Sequence, residues 1–97
     1  MTFQEFKASL TGERPPEDLE ASLQALWHQA KGDWDTAHHL AQEQSDEAGA
    51  WVHAHLHRVE GDNSNAAYWY RRAGKTPSSA PLQGEWEEIA RALLAVQ

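Results

Sequence analysis

Residues 51–74, WVHAHLHRVEGDNSNAAYWYRRAG, decide the fold. At about 100° per residue, Trp51, Val52, His55, Leu56 and Val59 gather on one side of a helix, and His53, His57 and Glu60 on another. Gly61 and Asp62 make a corner. A second helix from Asn63 to Ala73 then puts Ala66, Trp69, Tyr70 and Ala73 on one side and Asn65, Tyr68 and Arg72 on another. The stretch therefore reads as a helix hairpin whose polar faces can converge on a candidate site.

Upstream the pattern repeats. A shift of 29 residues superposes His28 on His57, Gly32 on Gly61, Asp33 on Asp62 and Ala37 on Ala66. Leu19, Leu23, Leu26, Trp27 and Ala30 form an apolar stripe ending at Gly32, which can close a helix in the left-handed conformation. Pro16 suits a first turn, and Glu17 and Asp18 suit the positive end of its dipole, so the spacing predicts a helix over 16–31. Asp33 is a natural N-cap for a helix over 34–44 bearing Trp34, Ala37, Leu40 and Ala41 on one face. His38 and His39 fall off that face and are expected in solvent.

The ends follow the same logic. Thr2 and Glu5 have the spacing of a capping box ahead of Phe3, Phe6 and Leu10, which predicts a helix over 2–10. After Gly74, Lys75 to Pro81 reads as a loop. A helix over 82–96 carries Trp86, Ile89, Ala90, Leu93 and Val96 inward and Glu87, Glu88 and Arg91 outward. With helices also expected over 47–60 and 63–73, and no period-two alternation, the chain reads as one all-α domain over 1–97. Neither hairpin buries its apolar face alone, so the two should stack, with the terminal helices capping both ends of the stack.

Composition narrows the function classes. The 97 residues contain no cysteine, which excludes disulfides, thiolate chemistry and Cys-ligated zinc or iron–sulfur clusters. Fifteen acidic against eight basic residues give a net charge of -7, which opposes both nucleic acid and an anionic membrane surface as partners. No apolar run approaches the roughly 18 residues of a membrane span, and the amino terminus lacks a basic region ahead of an apolar run. A cytoplasmic protein is expected.

The residues resemble the tetratricopeptide family, in which small residues of two helices meet and an aromatic and a further small residue follow. Ala54, Ala66, Tyr70 and Ala73 match that pattern, with Pro77 near the family's closing proline. The first copy keeps Ala25 and Ala37, but has Ala41 where the aromatic stands and Gln44 where the small residue stands. The 29-residue spacing is shorter than the usual 34. The chain also resembles short, uncharacterised, mostly bacterial helical proteins sharing H-x-x-x-H-R-x-E-G-D-x-x-N-A-x-Y-W-x-R-R. That resemblance points at His53, His57, Arg58, Glu60, Asp62, Asn65, Tyr68, Trp69, Arg71 and Arg72.

Two chemical readings stand side by side. His53 and His57 at i and i+4, with Glu60 one turn on, carry donors that suit zinc or a similar ion. The segment is HAHLH rather than HExxH, however, so no glutamate lies between the histidines to act as base. The tetratricopeptide register turns His53 and His57 toward the paired helix, where Asn65, Tyr68 or Glu60 would bond them, whereas the apolar arc alone turns them outward. The repeat register is preferred, and with it neither a metal nor a cofactor is expected. Arg71, Arg72 and Lys75, beside Tyr68, Trp69 and Tyr70, could hold a carboxylate or phosphate, or could simply complement a helix dipole.

The tryptophans fall on apolar faces as core. The exception is Trp51, which the repeat register places with His55 and Arg58 on the concave surface where such proteins commonly take peptides. No nucleophile arrangement, P-loop or dinucleotide fingerprint is present. The expectation is an interaction module, rather than an enzyme, that binds a protein or peptide around Trp51, His55 and Arg58, with end surfaces that a second copy could cover. The alternative is a small-anion or metal site, which could be enzymatic, built from His53, His57, Glu60 and Arg72.

Overall fold

Side-chain caps set four of the helix starts. The structure, a computed structural model, describes residues 1–96. Thr2 and Glu5 form the expected reciprocal capping box for α1, Phe3–Ala8, which continues as a 3-10 turn over Ser9–Thr11. Asp33, Asp46 and Asp62 cap α3 (Trp34–Glu43), α4 (Glu47–Val59) and α5 (Asn63–Ala73), each accepting from the backbone N–H three residues on. α2 spans Ala21–Ala30 and α6 spans Leu82–Val96.

The start of α2 differs from the expectation of residue 16. Asp18 takes a positive φ of 64°, a conformation that a right-handed helix cannot pass through. Leu19 is buried from the extended approach instead, and its carbonyl accepts from Gln24 Nε2 at 2.7 Å. Pro16 therefore occupies no first turn, and Glu17 and Asp18 do not face the dipole.

The two Gly–Asp corners are built alike. Gly32 and Gly61 have φ of 87° and 84°. The N–H of Asp33 reaches the His28 carbonyl, and that of Asp62 the His57 carbonyl, both at 2.9 Å, so each glycine closes one helix while the next residue caps another. The α3–α4 connection needs a different glycine. A Cβ on Gly49 would stand 1.8 Å from the Gln44 carbonyl oxygen, so only glycine permits that approach.

These corners fold α2 on α3 and α4 on α5, and the two hairpins stack through α3 against α4 and α2 against α4. The alanines of the repeat pattern are inside: Ala25, Ala37, Ala54 and Ala66 are all buried. α6 packs on α4 and α2, the first helix of each hairpin, and α1 packs on α6. Aromatic contacts fix that arrangement, since Phe6 stacks on Trp86 at 5.7 Å and Phe3 meets its edge. Three indoles also find acceptors: Trp27 on Ser9 Oγ, Trp34 on the Leu56 carbonyl and Trp86 on the Leu26 carbonyl. Among the described residues there is no strand, and no helix is long and apolar enough to cross a membrane.

Candidate functional site

Helix α4 has no solvent face along most of its length, because α2, α3, α5 and α6 surround it and every residue from Gly49 to His57 is buried. The sequence conflict over which way His53 and His57 turn assumed that one face of this helix was open. All three histidines of HAHLH are instead internal, at 3%, 1% and 5% exposure for His53, His55 and His57.

His55 lies on the face toward α6. Its Nδ1 donates to Glu85 Oε1 at 2.7 Å, and Arg58 Nη1 donates to the same oxygen at 2.9 Å. The Tyr70 hydroxyl donates to Glu85 Oε2, and Arg58 Nη2 to the Ala80 carbonyl. Burial pushes the Glu85 carboxyl up, but the bonds from His55 and Tyr70 and the Arg58 cation outweigh it and hold the group below its ordinary value. Burial, with the hydrogen bond to that carboxylate, pushes the Tyr70 phenol well up. His55, Arg58 and Tyr70 thus each donate to a buried or backbone acceptor.

This corrects the expected peptide surface. Trp51, His55 and Arg58 do not form an open concave face, because α6 of the same chain fills it. Trp51 is 8% exposed and lies under the Lys75 ammonium, 4.2 Å from the ring centroid.

The opposite face carries His53 and His57, and α3 adds a third imidazole. His38, expected in solvent, is half-buried: its ring lies 4.5 Å from that of His53 and 5.3 Å from that of His57, while His53 and His57 stack at 4.9 Å. Trp69 stacks on His53 at 3.8 Å, and Trp34 on His38 at 4.7 Å. One ring nitrogen from each of the three histidines lies within 4.8 Å of the others. Burial, then the neighbouring imidazoles, lowers the His53 pKa to about 4 and moves His38 in the same direction, so both rings are neutral at pH 7.

Hydrogen bonding is sparse on this face. Of the expected partners Asn65, Tyr68 and Glu60, only Glu60 bonds a histidine, its Oε1 accepting from His57 Nδ1 at 2.7 Å. Asn65 bonds Asp62, and the exposed Tyr68 hydroxyl accepts from Arg72 at 3.0 Å. Ring nitrogens of His38 and His53 make no hydrogen bond among the described residues, and His57 Nε2 is buried without a partner. Such an orphan costs about 1 to 3 kcal/mol.

A cleft of about 380 Å³ opens beside this cluster between α3, α4 and α5, with His53, Trp69 and Arg72 on its wall. The Arg72 guanidinium lies 5.4 Å from the Trp69 ring and 5.9 Å from that of Tyr68. Arg71, Arg72 and Lys75 form no salt bridge among the described residues. The sequence-predicted residues thus divide. Trp51, His55 and Arg58 sit under α6; His53, His57 and Glu60 share one cluster; Tyr68 and Arg72 rim the adjoining cleft; Asp62 and Asn65 are taken up in the corner; and Arg71 is exposed.

Two residues of this region escaped the sequence reading. Glu85 precedes Ile89 and Leu93 by one and two helical turns, so a carboxylate on an apolar stripe was the available signal. His38 follows Trp34 by four residues, close enough to the stripe to be covered by that indole. No protein-family model, curated protein or solved structure matches the chain.

Proposed function

We propose that the protein is a small tetratricopeptide-like binding module that takes a partner peptide through a carboxylate, in the cleft between α3, α4 and α5. The face under α6 is not its binding surface. Burial of Ala25, Ala37, Ala54, Ala66, Tyr70 and Ala73, where the family pattern needs small residues and an aromatic, supports the family reading.

One observation carries the binding reading: in a chain of net charge -7, Arg72 has no acidic partner among the described residues, yet is held against two aromatic rings at a cleft. The two cation–π contacts and the Nη1 bond to the Tyr68 hydroxyl hold the guanidinium at the rim and leave its remaining N–H groups for a bidentate carboxylate. Asp46 lines the same cleft, but its carboxylate is committed to the Gly49 N–H and the Gln44 amide. Glu47 also lies there, and sets the demand that the ligand reach the Arg72 end.

A peptide array probed with the wild type and with Arg72→Ala tests this. Bound sequences should be enriched in Asp, Glu or free carboxyl termini, and Arg72→Ala should weaken them roughly ten- to hundredfold, the loss of one or two charged hydrogen bonds. Binding indifferent to Arg72, or no binding at millimolar peptide, would contradict it.

A further inference from the structure

We propose that His38, His53 and His57 form a site for one divalent transition-metal ion of the zinc class. The inference stands on ring nitrogens and not on the carboxylate cleft. Three imidazoles from two helices bring a nitrogen each to within 4.8 Å, and among the described residues none of His38, His53 or His57 Nε2 has a hydrogen-bond partner. Packing alone gives no reason for this composition, because phenyl rings would fill the space without burying nitrogen. A metal ion satisfies all three donors at once.

The polarity of His57 fits this role. Its Nδ1–H points at the Glu60 carboxylate, which leaves Nε2 of the neutral ring as a lone-pair donor, and that is the buried atom without a partner. A carboxylate behind a ligating imidazole fixes the tautomer and raises the basicity of the ligand. Glu60 is thus a positioning residue. It and Asp62 also lie near His57 as a second group of possible ligands, but both are exposed, and Asp62 is committed to capping α5. His55 is excluded, because its Nδ1 faces Glu85 on the opposite side of α4.

The donor set selects the ion. Three neutral nitrogens suit zinc, copper or nickel, whereas calcium and magnesium demand oxygen. Bonds of about 2.0 to 2.1 Å in a tetrahedron put nitrogens roughly 3.4 Å apart, so from separations of at most 4.8 Å the cluster closes by no more than about 1.4 Å. His38 has room to move, being half-buried on α3. A fourth position can open toward the cleft that His53 lines, which also gives the ion an entry path.

Chelator-treated protein titrated with zinc chloride alone decides the matter. Calorimetry should show one zinc per chain, and zinc should raise the melting temperature. His38→Ala, cut at the half-exposed ligand so that the fold survives, should lose the zinc heat and the melting shift; a circular dichroism spectrum checks its folding. Glu60→Ala should weaken zinc binding roughly tenfold or more. His39→Ala, on the exposed neighbour, should bind as the wild type does. Copper(II) should quench fluorescence, through Trp34 and Trp69, in the wild type and not in His38→Ala. Absence of zinc heat in the folded wild type, or undiminished binding in folded His38→Ala, overturns the site. Arg72→Ala keeps all three ligands and should bind zinc normally, so failure of the peptide reading and failure of the metal site are recorded in different variants.

Discussion

Two faces of α4 solve the burial of histidine in opposite ways. Toward α6, His55 meets a carboxylate that also takes Arg58 and Tyr70, and the network is closed. Toward α3 and α5, His53 and His57 lie among rings, and their one bonded nitrogen reaches outward to an exposed glutamate. The residues alternate within five positions of sequence, so the difference comes from the surroundings. A polar group that is fully paired locks elements together. One left unpaired costs stability and remains available to something else, which is why the second face is the one proposed as a site.

The largest expected effect breaks the closed face. Glu85→Ala leaves Arg58 and His55 without their buried acceptor and should cost about 3 to 5 kcal/mol, read as a fall in the urea midpoint. A loss under 1 kcal/mol would mean that α6 is not held by this network.

Acid separates the faces next. The His53 pKa of about 4 lies below its ordinary 6.5, so in metal-free protein the unfolded state binds more protons between those values. Stability is therefore full above pH 6.5 and falls as pH drops toward 4, by about 3 kcal/mol at most. Glu85, held below its ordinary 4.5, contributes stability above that value and loses it only at lower pH. Denaturation series across pH 3 to 8 should show the upper loss shrink in His53→Phe, with the part due to His38 remaining, and persist in Glu85→Gln. An upper loss unchanged in His53→Phe would assign it elsewhere.

The smallest effects compare like substitutions. His55→Phe removes a charged hydrogen bond and should cost about 1.5 to 3 kcal/mol, whereas His53→Phe keeps the stack on Trp69 and removes unpaired nitrogens, so it should change stability by less than about 1 kcal/mol. Equal losses by chemical denaturation would erase the distinction between the faces.

What the sequence revealed follows how local each cause is. The Gly32–Asp33 and Gly61–Asp62 corners were legible because their bonds span only a few residues. The start of α2 was not, since nothing in PPEDLE announces that Asp18 turns left-handed and lets Leu19 enter the core. The pairing of His57 with Glu60 was legible at i and i+3. Glu85 joins partners 15 to 30 residues away, and His38 enters its cluster only when α3 lies on α4, so neither role exists until the hairpins stack.

The Gly–Asp corners also bear on how fast this chain finds its structure. Each is completed by bonds reaching back at most five residues and by an aspartate that caps its own helix, so closing a hairpin carries little loop entropy. Local contacts of this kind favour rapid folding, whereas the docking of α6 on α4 and α2 rests on contacts such as those of Glu85, which span 15 to 30 residues and carry the larger loop-closure cost.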